Sequence, residues 1–200
     1  ITDFKQFWED RFSGMRGTYI TSNTLQMVFF LASCQAYGKD AYDLEAGYEA
    51  MKNAMPAKIS DFTGNMQTLV ERGEVQIGVQ WEGEVYLQMD KGIPVAPFIW
   101  EHQKPLLTQT HTVSKYSDPV QKKLALAYVN EKLDPKFMNK AGETFYLRPT
   151  IKNAQLPELL TSKGVTNDAN ALDGLHTPDW SFYLENEDDI VETCNEIFAS

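Results

Sequence analysis

Three features of this 200-residue chain predict an α/β fold in which a partly parallel sheet leads into a mainly helical region. Strand-like runs alternate with helical stretches from residue 17 to about residue 100. The stretch 57–84 reads as strand, helix, apolar strand, then an aromatic-led turn into another helix. After Val113 no strand repeat is visible, and helices and irregular segments remain. Alternation of this kind implies parallel strands with helices on both faces of the sheet.

The elements follow in order. Residues 3–11 form a short aromatic-rich helix, and Ser13-Gly14 breaks it. Gly17-Thr18-Tyr19-Ile20 suits a pleated surface. Thr21-Ser22-Asn23-Thr24 supplies capping side chains for a helix that Gly38 stops near Tyr37. A second helix carries Leu44, Tyr48, Met51 and Met55 on one face, and Pro56 ends it. Strand 57–62, helix 64–72, strand 75–80, helix 82–91 and strand 94–100 continue the alternation. Residues 108–113 alternate polar and apolar as a connecting strand would. Asp118-Pro119 opens a long helix to Leu133. Helical or turn segments follow at 135–142, 146–149, 157–163 and 186–198, the last led by acidic residues that suit a helix start. The expected division is 1–112 as an α/β lobe and 113–200 as a helical region.

Composition narrows the function. A formal charge of −10 and a pI near 4.8 argue against nucleic acid, which needs clustered Lys and Arg. No apolar run reaches the length of a membrane span. The chain begins at Ile1 without a signal peptide, which implies a processed chain or a piece of a longer one. Cys34 and Cys194 lack metal-type spacing and read as two buried thiols. His102, His111 and His176 share no ligand spacing, and no nucleophile elbow, phosphate loop or dinucleotide fingerprint occurs. Glu82 and Glu84, two apart on a helix, do not share a face as a catalytic pair would. Catalysis, a cofactor and a metal are therefore not expected.

In open α/β sheets small ligands sit beyond the carboxyl ends of the strands. Strand 75–80 delivers Trp81 to that rim, where an indole either walls a ligand site or closes the core beneath. Thr21, Ser22 and Asn23 stand at the start of a helix, either as a cap or as hydroxyl and amide groups facing a ligand. Trp8, Trp100 and Trp180 read as packing residues.

Taken in order, several motifs resemble the solute-binding proteins of ABC importers, type II, on the spermidine/putrescine side of that family. They are Phe7-Trp8-Glu9-Asp10-Arg11-Phe12-Ser13-Gly14, Tyr48-Glu49-Ala50-Met51-Lys52 with Met55-Pro56, and Arg72-Gly73-Glu74-Val75 with Trp81-Glu82-Gly83. The helix from Asp118-Pro119, the run 142–149 and Asp179-Trp180 complete the series. Each motif alone is common, and order and spacing carry the resemblance. It covers nearly the whole chain, but nothing here corresponds to the family's opening first-lobe segment.

The resemblance implies a periplasmic-binding-protein-like lobe, and a solute held by closure of two lobes without bond chemistry. It implies delivery to an ABC permease, in the periplasm or outside the cell on a membrane attachment. It places second-lobe contacts at Thr21, Ser22, Asn23, Trp81, Thr108 and Thr110, with Tyr146 and Arg148 from the returning segment. Tyr146 either packs or touches solute, and Arg148 either clamps an anion or pairs with a surface acid. Polyamine binders of the family carry carboxylates where this chain has Ser22-Asn23 and Thr108-Gln109-Thr110, leaving Glu82 as one remaining acid. Iron binders carry adjacent tyrosines where this chain has Trp81-Glu82-Gly83-Glu84. A small polar solute, neutral or anionic, is therefore expected. A polyamine or other cation, or a non-catalytic interaction role on the same fold, stands as the alternative. An incomplete first lobe would also favour self-association or a partner segment.

Overall fold

The computed structural model describes residues 1–101, 104–166 and 173–200, so His102 lies outside the described residues. It divides into two units, Ile1–Leu106 with Leu175–Ser200, and Leu107–Gly174.

The first unit opens with two short 3-10 helices, Phe4–Trp8 and Asp10–Phe12, in place of the single helix expected over 3–11. Asp3 caps the first, and Glu9 separates them by leaving helical geometry (φ −61°, ψ 139°). Strand β1 (Arg16–Tyr19), helices α1 (Thr24–Tyr37) and α2 (Leu44–Ala54), strand β2 (Ala57–Ser60), helix α3 (Thr63–Glu71), strand β3 (Ile77–Gly78) and helix α4 (Glu82–Asp90) follow. The sheet runs β2-β1-β3, all parallel, with Gly17 opposite both Lys58 and Gly78.

Neighbouring residues of a strand point to opposite faces. Thr18 hydrogen-bonds Gln26 of α1, whose amide donates to the Met51 sulfur of α2. At Gly17, a Cβ would lie 2.6 Å from the Met66 sulfur of α3. Helices α1 and α2 therefore cover one face and α3 the other. The mixed α/β architecture with helices on both faces is the one the alternation predicts.

Strand β4 (Lys104–Pro105) ends this first stretch. Within the second unit, helix α5 (Pro119–Lys132) starts at a capping box between Asp118 and Gln121, with Pro119 at its first position. Helix α6 (Pro135–Phe145) is capped by Asp134 and ends at Tyr146, whose φ of 56° is left-handed; α7 (Glu158–Thr161) is one turn. The chain returns to the first unit as β5 (Leu175–His176), α8 (Trp180–Glu185) and α9 (Glu187–Ala199).

Several expectations give way here. Residues 94–100 and 108–113 form no strand, and β3 is two residues long. Pro94 and Pro97 cannot donate to a ladder, which removes the reason for a strand there. Conversely β5 pairs in parallel with β4, each too short to show a period. Packing groups 175–200 with the first stretch of the chain. Ile190, Cys194 and Ile197, at helical spacing on α9, are buried in one core with Phe30, Cys34, Tyr48 and Met51 of α1 and α2. That shared core places 175–200 with the sheet rather than with 113–174.

Candidate functional site

All three parallel strands end at one edge, and each hands over there to a helix start. The exits carry Ile20 through Asn23 into α1, Asp61-Phe62 into α3, and Val79-Gln80-Trp81 into α4. Asn23 caps α1, its side-chain oxygen accepting from the Leu25 amide at 2.9 Å. Helices α3 and α4 instead begin on Phe62 and Trp81, neither of which caps through its side chain. An aromatic in that position forgoes roughly 1 kcal/mol that Ser, Thr, Asn or Asp supplies.

The two helices lie side by side in the same direction. Thr63 bonds Glu84, the Gln88 amide donates to the Gln67 carbonyl at 3.2 Å, and Lys91 lies 3.8 Å from Glu71. An offset of about 21 residues along both helices sets Thr63, the first residue of α3, level with Glu84, the third of α4.

Beneath these starts lie buried polar atoms without partners. Tyr19, fully buried at the end of β1, points to the α3–α4 face because it shares the parity of Gly17. Its hydroxyl has no hydrogen-bond partner among the described residues. The Gly17–Gly78 register, continued two residues, brings Gln80 beside Tyr19, and the Gln80 side-chain oxygen is likewise buried and unpartnered.

Glu84 occupies the third position of α4 and reaches back to the Trp81 backbone N–H, half of a capping box. Its Oε2 is buried without a partner. Burial raises the Glu84 carboxyl above its usual range, while the Thr63 and Trp81 hydrogen bonds act against that rise. Burial also raises the Tyr19 phenol, with the Glu84 charge adding to it. The Tyr19 and Glu84 oxygens, near enough to interact, and the buried Gln80 oxygen on the same face of the sheet can thus accept hydrogen bonds from an N–H or O–H donor. Glu82 and Glu84 occupy the first turn of α4 and offset the positive end of its dipole, so an anion gains little there.

The residues singled out from sequence fall as follows. Trp81 is half-buried at the rim and Glu82 beside it accepts from the Tyr86 hydroxyl at 2.7 Å. Thr21 is buried and donates to the Asn195 side-chain oxygen of α9 at 3.1 Å. Ser22 is exposed, and Asn23 is the cap of α1. These five belong to the first unit. Thr108 and Thr110 are exposed in the second unit, on irregular chain rather than on the expected strand. Tyr146 is buried there and Arg148 exposed.

Tyr19, Gln80 and Glu84 were not among the expected site residues. A separate cleft of about 350 Å³, lined by Met55, Pro56, Ala57, Phe198 and Ser200, lies at the amino end of β2, away from this rim. Among the described residues no helix is long and apolar enough to cross a membrane, and no group of three or more His, Cys, Asp and Glu is placed to hold a metal.

No protein-family model matches the sequence. The chain is weakly homologous to periplasmic proteins that bind spermidine and putrescine. It is 23% identical over 176 residues to the Salmonella typhimurium protein and 22% over 179 to that of Escherichia coli. Each match covers 86% of this chain and 50% of the relative, so the chain spans about half the length of the curated relatives it matches. Its fold is that of solute-binding proteins of ABC transporters. An ABC transporter structure from Clostridium perfringens superposes with a TM-score of 0.71, covering 99% of this chain and 63% of that one at 18% identity. An extracellular solute-binding protein of Bordetella parapertussis gives 0.64, covering 98% and 61%, also at 18% identity.

Proposed function

We propose, starting from that weak homology and shared fold, that this chain is the solute-holding part of an ABC importer's binding protein. It works in the periplasm or outside the cell and presents its solute to a membrane permease. It performs no bond chemistry, and solute contacts favour a closed arrangement of lobes. The observation that carries this is a half-exposed Trp81 standing at the carboxyl edge of a parallel sheet, beside the buried acceptor oxygens of Tyr19, Gln80 and Glu84.

Buried polar atoms are nearly always hydrogen-bonded, so three unpaired oxygens at a rim fit a site completed by a donor from outside. A neutral polar solute with hydroxyl or amide donors suits them. An anionic solute has less support, because the acids on α4 oppose it. One specific observation favours the cationic alternative: an amine head would supply both donors and the counter-charge to Glu84.

The test is a melting-temperature screen of the purified chain against neutral polyols, amino acids, dicarboxylates and diamines, repeated with Trp81→Ala and Glu84→Gln. Stabilisation by one donor-rich class that either substitution abolishes is the expected result. Stabilisation by dicarboxylates alone would reverse the solute class, and indifference to every class at millimolar concentration would end the solute-binding proposal.

A further inference from the structure

We infer that α5 docks on α5 of a second copy of this chain, antiparallel about a twofold axis, in a weak dimer. The inference goes beyond the solute-binding proposal and does not rest on it.

Helix α5 has 14 residues and is about 21 Å long, yet none of its residues is buried. Ala125, Val129 and Lys132 share one side and are half-buried; the Lys132 Nζ lies 4.2 Å from the Phe137 ring of α6. That side leans on its own unit. The opposite side carries Val120, Leu124, Ala127 and Glu131, the four-three-four spacing of a seam between two helices. Val120 is 69% exposed, Leu124 66%, and Tyr128 beside Leu124 58%. Apolar side chains at seam spacing and open to water mark a contact surface.

The seam is complementary to itself when reversed. With the axis level with the middle of α5, between Ala125 and Leu126, Leu124 packs against Ala127 and Tyr128 of the second copy. A large side chain thus meets a small one and a ring, twice. Glu131 then lies beside Val120 of the second copy and within reach of its Lys123. A parallel pair would instead set Lys123 against Lys123 and Glu131 against Glu131.

Net charge favours the same meeting place. Residues 107–174 hold nine Lys and Arg and seven Asp and Glu, whereas the rest of the chain holds nine and twenty-one. Contact through the acidic remainder brings like charge together, and contact through α5 does not. A seam one helix long covers far less than the ~800 Å² per partner of a standard interface, so the dimer is weak and concentration-dependent.

The test is sedimentation equilibrium of the 200-residue chain from micromolar to millimolar concentration, with circular dichroism to confirm folding. Wild type passes from monomer to dimer over that range. Leu124→Lys, at a side chain already exposed, stays folded and weakens the dimer at least about tenfold. Leu126→Lys, 52% exposed on another side of α5, stays within twofold of wild type. The register is read separately: oxidised glutathione joins two copies of the double variant Leu124→Cys with Ala127→Cys, and leaves wild type unjoined. A chain monomeric throughout, a folded Leu124→Lys within twofold of wild type, or an equal loss from Leu126→Lys overturns the inference. Failure of the double variant to cross-link overturns the antiparallel seam. A monomer whose α5 binds the dye ANS, with the signal lost in Leu124→Lys, also overturns it and gives the stripe to another occupant, a chain segment outside these 200 residues.

Discussion

Arg16 offers the most direct test of how the sheet is held. Its guanidinium is 2% exposed and donates to four backbone carbonyls: Phe7 at 2.7 Å, Trp8 at 2.8 Å, Glu9 at 2.9 Å and Ala54 at 3.2 Å. It thus ties both 3-10 helices and the carboxyl end of α2 to the first residue of β1. The cation also lies where the α2 dipole is negative.

Burying a guanidinium costs several kcal/mol of hydration, and four charge-assisted bonds at about 1.5–3 kcal/mol each offset that. The net worth of the intact clamp is therefore small. Cutting it is a different matter, because Arg16→Met leaves the Phe7, Trp8 and Ala54 carbonyls without this donor at once, while the Glu9 carbonyl keeps the Phe12 N–H. Each buried carbonyl left unsatisfied costs about 1–3 kcal/mol, and the guanidinium dehydration that is avoided offsets part of this, leaving a net loss of about 3–5 kcal/mol. For a chain of this size, 1 kcal/mol shifts the melting temperature by about 2–4 °C, so a fall of roughly 6–20 °C is expected. Arg16→Lys, keeping charge but only three donors on one atom, falls in between.

The assay is thermal melting followed by far-UV circular dichroism. Arg16 lies at the amino end of β1, away from the rim, so solute binding below the melting range stays unchanged. A drop under about 2 °C for Arg16→Met would refute the clamp.

Because burial raises the Glu84 carboxyl, the charged form costs stability, and that cost appears as pH rises through its elevated value. Glu84→Gln should therefore melt higher than wild type at pH 8, with the gain vanishing below about pH 4.5; lower melting at every pH would contradict this. A Cβ at Gly47 would lie 2.4 Å from the Cys34 sulfur and 2.9 Å from the Phe30 ring. Gly47→Ala should cost about 1–3 kcal/mol of overpacking against about 1 kcal/mol of helix propensity gained. Adding Cys34→Ala should recover most of the loss in urea titrations. Burial pushes both Cys34 and Cys194 up to about 12, so neither thiol reacts with Ellman's reagent at pH 8 until denaturant is added; prompt native labelling would show that α9 opens.

Much of the first unit was legible because its signals are local. Asn23 and Gly38 bracket α1, Pro56 ends the stretch that holds α2, and hydrophobic spacing sets the face α2 buries. The capping box at Asp118 marks α5 in the same way. Legibility failed where a single ladder replaces a period. β4 and β5 are two residues each and exist only as partners across about 70 positions of chain. The irregular course of 94–100 follows from prolines, which override the apolar texture that suggested a strand.

At the rim, the sequence by itself determined that Trp81 begins a helix just past a strand, since residue order alone dictates that handover. It also determined the chain's acidity and the absence of familiar catalytic motifs. Only the tertiary structure decided that Tyr19, Gln80 and Glu84 share one buried face and that α3 and α4 lie side by side. Strand parity, parallel register and the offset between α3 and α4 are relations between segments, and no local pattern encodes them. Thr21, a hydroxyl that looked available, is drawn inward by Asn195 from the far end of the chain, a contact set by packing alone.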